Sequence, residues 1–177
     1  FSQKQNLRVL IKPLTKKTGQ SLEFRSISDG FLVQEKDSKI FDKIKIVTKT
    51  KPTKQQLESL KFAFTVAKYV KSNTIVLVRG TQTVGIGAGQ MSRIDSLKIA
   101  NMKMDSISHL TSPISHLPLV LASDAFFPFR DVVDESAKIG VKAIIQPGGS
   151  LKDNESITAC NEHKISMVFT GMRHFRH

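Results

Sequence analysis

The chain is 177 residues long, yet it holds one cysteine (Cys160), one tyrosine and no tryptophan. A single thiol excludes an internal disulfide framework and any multi-cysteine zinc site. No apolar run approaches the roughly 18 residues needed to span a bilayer. The opening Phe1-Ser2-Gln3-Lys4-Gln5 has no apolar signal core, so a cytoplasmic setting is expected. The first residue is not Met, and the chain is expected to be a piece of a longer or processed protein. Acids are scarce: 15 Asp and Glu stand against 27 Lys and Arg, a net charge of +12. The shortage of aromatics leaves none of the Lys- or Arg-flanked aromatic repeats that RNA-binding sheets use.

What is present is enough for a core. Forty per cent of residues are hydrophobic, so the chain is no disordered basic tail, and its length fits one domain or a large piece of a bigger enzyme. The positive charge is concentrated early: residues 1–61 carry 14 Lys and Arg against 6 Asp and Glu. Such an excess can bind nucleic acid or gather anionic substrates. Most of these lysines read as solvated surface instead, because they are interspersed with apolar residues, as in Lys43-Ile44-Lys45-Ile46-Val47, the alternation of a half-buried strand. A basic nucleic-acid-binding α/β module stays as the alternative reading.

There is no internal repeat and no low-complexity segment. Residues 1–25 read as an irregular, polar lead-in, and 30–35 and 43–49 as strands. Thr53 and Gln56 fit a capping box, followed by Leu57, Leu60, Phe64, Ala67 and Val70 at helical spacing. Strands are expected at 74–78 and 83–87, a helix at about 91–105, a loop over 106–118, and a strand at 119–122. A helix at 131–139 ends at Gly140, a natural residue after a helix C-cap. Strand 141–146, loop 147–150, helix 153–162 and strand 165–170 complete the pattern. Alternating strands and helices after residue 52 argue for an α/β layered domain, whose ligands gather in loops beyond strand ends.

Three loops at such ends stand out. Gly85-Ile86-Gly87-Ala88-Gly89-Gln90 invites a dinucleotide reading, but Gln90 occupies the last glycine position of G-x-G-x-x-G. These glycines allow close backbone approach, or simply a tight strand-to-helix turn. Arg93, just beyond, suits an anion beside a helix N-terminus, or a salt bridge to Asp95 or elsewhere. Ser123-Asp124-Ala125-Phe126-Phe127-Pro128-Phe129-Arg130-Asp131 offers rings to stack on a flat heterocycle and carboxylates for its N–H groups; equally, the rings are core and Asp131 caps the next helix. Pro147-Gly148-Gly149-Ser150 exposes backbone N–H groups and a hydroxyl to an anion, or merely leads into a helix. Met172-Arg173-His174-Phe175-Arg176-His177 combines cations with a ring, and Arg can clamp a phosphate; a free basic terminus needs no ligand.

Six segments taken together carry a resemblance: VTKTKPT (47–53), AKYVKSN (67–73), VGIGAGQMSRID (84–95), LASDAFFPFRD (121–131), IIQPGGS (144–150) and VFTGMRHFRH (168–177). In this order the chain resembles the C-terminal half of the formyltransferase region in the family that joins AICAR formyltransferase to IMP cyclohydrolase. The resemblance implies transfer of a formyl group from 10-formyltetrahydrofolate to the 5-amino group of AICAR, in de novo purine (IMP) synthesis. It implies a three-layer α/β/α fold with a mixed sheet, similar to cytidine deaminases, with residues 1–177 as the second of two tandem repeats. The deaminase zinc motifs H-x-E and P-C-x-x-C are absent, so no zinc is expected.

By the same resemblance, Asn73 matches an amide near the formyl group, with Arg93, Phe126, Arg173 and Phe175 at nucleotide-contacting positions. Ile94, Asp131, Ser150 and Leu151 match folate-contacting positions, and Pro128 and Phe129 walls of the folate slot. His177 matches a terminal histidine near the reacting groups. Ser72, Thr74 and Asp124 would supply oxygen ligands to a monovalent cation, potassium. The family places its proton-transfer Lys-His pair in the first repeat, and this chain has no Lys-His dipeptide. The chain is therefore expected to hold binding residues without the base, to be inactive alone, and to act within a homodimer of the full enzyme.

Overall fold

The structure, a computed structural model, describes residues 8, 10, 11, 22–107 and 114–177. It divides into two compact units, Phe1–Ser38 and Lys39–His177. In the first, β1 (Leu22–Ile27) and β2 (Gly30–Glu35) form an antiparallel hairpin with Ile27 opposite Gly30. Strand β1 corrects the expectation of an irregular lead-in through residue 25. Leu22, Phe24, Ser26 and Glu23, Arg25, Ile27 alternate across it, and Ser28-Asp29 is a two-residue turn, the signal of a hairpin. Residues 1–7, 9 and 12–21 of that lead-in lie outside the described residues.

The second unit is built on one mixed six-stranded sheet. Its strands are β3 (Lys45–Ile46), β4 (Ile75–Arg79), β5 (Gln82–Gly87), β6 (Leu119–Ser123), β7 (Val141–Gln146) and β8 (Ser166–Phe169), in the order β3-β8-β7-β6-β4-β5. β6, β7 and β8 run parallel, whereas β4 is antiparallel to both β5 and β6, and β3 to β8. The parallel strands are joined by helices α3 (Asp131–Lys138) and α4 (Asp153–Glu162). Helices α1 (Lys54–Lys68) and α2 (Arg93–Ile107) precede them in the chain.

Side-chain alternation sorts the core into two layers. Ile75 and Leu77 of β4, Leu119 and Leu121 of β6, and Met167 of β8 pack with Leu97 and Ala100 of α2, Val132 and Val133 of α3, and Ala159 and Cys160 of α4. Val76 and Val78, Val120 and Ala122, and Val168 meet Leu60, Ala63, Phe64 and Ala67 of α1. The result is the expected three-layer α/β/α arrangement with a mixed sheet. In β7 the phase switches where Lys142 is skipped in the pairing with β6, so Val141 and Ala143 serve opposite layers. Such a bulge keeps both faces apolar while leaving the lysine exposed.

The capping box at α1 is present in both directions: Gln56 N–H donates to Thr53 Oγ1, and Thr53 N–H donates to Gln56 Oε1. The strand expected over 43–49 is only Lys45–Ile46. Past Val47, whose N–H donates to Met167 O, the Thr48 hydroxyl replaces a main-chain partner by accepting from Met167 N–H. α2 continues to Ile107, two residues into the stretch expected as loop, of which 108–113 lie outside the described residues.

Candidate functional site

The carboxyl ends of β5, β6, β7 and β8 and the start of β4 meet at one edge of the sheet, because β4 runs against its neighbours. The C-terminal segment crosses that edge, tied at each step. Thr170 and Gly171 N–H groups donate to Gln146 O and Pro147 O, His174 N–H donates to Asp124 O, and Arg176 exchanges bonds with Ser72. The three loops singled out in the sequence and the basic terminus thus form one neighbourhood.

The glycines of the first loop serve the scaffold. A Cβ on Gly85 would sit 2.1 Å from Ala100 O, and one on Gly87 1.8 Å from Ser96 O. They admit α2 against β5 rather than a ligand. Ser92 and Asp95 open α2 reciprocally, the Ser92 hydroxyl donating to Asp95 Oδ2 and accepting from Asp95 N–H. Asp95 is thereby occupied, and Arg93 turns instead to the far strand. Its Nε donates to Ser123 Oγ at 3.2 Å and its Nη2 pairs with Asp124 Oδ1 at 3.4 Å. Burial pushes the Arg93 guanidinium below its ordinary pKa and neighbouring Arg173 adds to the push, against the pull of Asp124.

Asp124 is fully buried. Oδ1 takes Arg93 and the Thr74 N–H, and Oδ2 has no hydrogen-bond partner among the described residues. Thr74 donates its hydroxyl to Gly87 O, and the Ser72 hydroxyl accepts from Arg176 N–H. Three buried oxygen-bearing side chains, one with an orphaned carboxylate oxygen, are a donor set that suits a hard cation. Among the described residues no group of three or more His, Cys, Asp and Glu is placed to hold a metal ion. Beside them, Asn73 Nδ2 donates to the carbonyls of Gln90 and Met91, at 3.0 and 3.3 Å.

The phenylalanine run divides by function. Phe127 is fully buried in the core, whereas Phe126 is half-buried and Phe129 exposed. Phe126, Pro128 and Phe129 face Gly149, Ser150, Leu151 and Lys152 across a cleft of about 320 Å³. Arg173 lies over the Phe126 ring at 4.5 Å, and a Cβ on Gly149 would come within 3.2 Å of its Nη2. Lys152 covers the Phe129 ring at 4.8 Å. Five residues expected from the sequence therefore line one cleft, with Arg173 at its edge. Lys152 was missed; its only signal is that it directly follows Ser150-Leu151.

Other expected residues stand elsewhere. Ile94, the second residue of α2, packs partly buried against the core, and Asp131 is the first residue of α3, accepting from Val132 N–H, rather than its N-cap; neither lines the cleft. The backbone N–H groups of Gly148 and Gly149, which the loop offered to an anion, are engaged within the chain: they donate to Gln146 Oε1 and Asp153 Oδ2. Phe175 and His177 are exposed and stack on each other at 5.9 Å.

A parallel βαβαβ core with a cleft over its strand ends is the layout of an α/β domain that binds a small ligand. The sequence profile of the family described as "AICARFT/IMPCHase bienzyme" matches residues 1–103. The bifunctional purine biosynthesis protein PurH of Persephonella marina is 52% identical over 175 residues, covering 98% of this chain and 33% of that protein. PurH of Elusimicrobium minutum is 48% identical over 181 residues, covering 100% of this chain and 34% of that one. The chain belongs to the AICARFT/IMPCHase bienzyme family. It spans about a third of the length of the curated relatives it matches. Among solved structures, the apo dCMP deaminase of cyanophage S-TIM5 covers 66% of this chain and 97% of its own, with a TM-score of 0.41 and 14% identity, too distant to bear on fold or chemistry.

Proposed function

We propose that this chain is the second of two deaminase-like repeats of an AICAR formyltransferase, and that it supplies binding residues for AICAR and for 10-formyltetrahydrofolate. The observation that supports this most is Arg173 stacked on Phe126 at the edge of an aromatic cleft. A guanidinium above a ring can meet a phosphate or carboxamide while the ring meets a flat heterocycle. Ser150, Leu151, Pro128 and Phe129 form a slot for the pterin or benzoyl part of the folate; Asp131 and Ile94, assigned to the folate by the resemblance alone, lie outside that slot. Lys152 at the mouth suits the folate carboxylates.

In the reaction, the 5-amino nitrogen of AICAR attacks the formyl carbon and the folate nitrogen leaves. The amine is conjugated and a poor nucleophile, so a proton acceptor matters. The chain's own part is to hold the two substrates: Arg93, Phe126, Arg173 and Phe175 orient the nucleotide, and Asn73 and His177 adjoin the reacting groups. For Asn73 to donate to a developing formyl oxygen, one N–H must leave a loop carbonyl. A potassium ion fits Ser72, Thr74 and Asp124, with the orphaned Asp124 Oδ2 as its anchor; it would neutralise that carboxylate oxygen. The Lys-His pair is not in this chain, so formyl transfer requires the other repeat, in a homodimer of the full enzyme.

Calorimetric titration with AICAR at two salt concentrations tests the reading. Saturable binding is expected, weakened about 10- to 100-fold in Arg173→Ala, the loss of one or two charge-assisted hydrogen bonds. No binding at millimolar AICAR would overturn the assignment of the nucleotide site to this chain. Binding of any nucleic acid with a steep salt slope, without preference for AICAR, would favour the basic-module reading, for which the +12 charge speaks.

A further inference from the structure

His174 is only 2% exposed, although the residues on either side of it, Arg173 and Phe175, are exposed. Its ring enters the layer under α1 and lies 5.2 Å from the Phe64 ring, which also meets Phe41 at 6.4 Å. The ring Nε2 is 2.8 Å from Ile40 O. A carbonyl can only accept, so Nε2 carries the proton. The same residue's main-chain N–H donates to Asp124 O at 3.1 Å. Two residues on, Arg176 N–H donates to Ser72 Oγ, and Ser72 N–H donates to Arg176 O.

The tail is thus held at two points, and successive side chains of an extended segment point to opposite sides. With His174 turned inward, Arg173 is turned outward, over Phe126. Arg is long and rich in rotamers, so an unanchored backbone would leave its guanidinium in many poses. We infer that His174 is a positioning residue: its buried ring, bonded to Ile40 O, fixes the backbone from which Arg173 reaches over Phe126. The importance of that pose for AICAR rests on the functional reading above; the anchoring itself does not.

The test uses the full chain and reads two quantities. Without ligand, the Arg173 side-chain protons stacked on Phe126 carry an upfield ring-current shift in NMR spectra, assigned by its loss in Phe126→Leu. His174→Leu is expected to abolish the shift, and His174→Gln, whose amide N–H reaches the same carbonyl, to restore it. Asp134→Asn, which weakens a network between α3 and α4, should leave the shift in place. If His174→Leu does not fold, His174→Asn replaces it, because its amide stops one methylene short of Ile40 O and should lose the shift that Gln keeps. An unchanged shift in the folded Leu or Asn variant overturns the proposal, and so does an equal loss in Asp134→Asn.

AICAR titration runs alongside. If the competent pose falls to a tenth of the population, Kd rises about tenfold in His174→Leu and recovers in His174→Gln. Loss of the shift together with no AICAR binding by the unaltered chain would refute the functional reading while the anchoring role stands.

Discussion

Arg93 and Asp124 lie 31 positions apart, with their side chains 12% and 0% exposed. At the residue scale this pair joins α2 to the end of β6 at the centre of the candidate site. Removing one member strands the other charge in the interior, which costs about 3–5 kcal/mol. Arg93→Met is therefore expected to lower unfolding stability by that amount in urea titrations, and to disturb nucleotide binding as well. A change under 1 kcal/mol would mean that Asp124 is already neutralised by another group. Spacing alone pointed Arg93 as readily at Asp95, two positions away. What decides against it is that Ser92 had taken Asp95 for the helix start. The same limit applies to the terminus: nothing in the order Arg173-His174-Phe175 says which of the three is buried.

At the scale of elements, the close seat of α2 on β5 depends on two absent side chains. The Ser96 carbonyl that a Cβ on Gly87 would strike is helix backbone, so it cannot swing aside. Gly87→Ala should lift α2 and cost about 3 kcal/mol, at the upper end of overpacking penalties. Gly140 is the comparison: it has φ +85° and nothing within 4 Å of a Cβ. Gly140→Ala should cost only about 1–2 kcal/mol, the penalty of the left-handed backbone. Equal losses in thermal melts of the two variants would refute the packing argument. Helix α1 with its capping box, the apolar strand β4 and the stop of α3 before Gly140 were legible in the sequence, because caps and periodicity are settled among near neighbours. β3 was overestimated, since its length depends on where Thr48 meets Met167, 119 positions away.

For the whole molecule, acid stability follows from one surface network. Arg130 bonds Asp134 through two nitrogens at 2.9 and 3.0 Å and reaches Glu162, while His163 Nε2 lies 2.8 Å from Asp134. The Arg130 hydrogen bond, helped by His163 and opposed by burial, holds the Asp134 carboxyl down from 3.8 to about 2. A depressed carboxyl contributes stability that is complete above its unfolded pKa and lost as pH falls toward the folded one. Melting temperature should fall between about pH 4 and pH 2, and fall less steeply over that window in Asp134→Asn, which starts lower at neutral pH. Parallel curves for the two proteins would show that other carboxylates govern the acid transition.

The order of elements from residue 30 onward and the residue types at the strand ends were written in local spacing, whereas strand β1 was not read. Hydrophobic period, helix caps and turn residues act over a few positions, so the linear chain displays them. The partnerships that make the site were not: Arg93 with Asp124, Arg173 with Phe126 and Gly149, His174 with Ile40. These join residues from 24 to 134 positions apart. They arise only when β4 turns against β6 and the C-terminal segment crosses the sheet edge, because strand order and burial, rather than sequence distance, determine which polar groups lose water and must find one another.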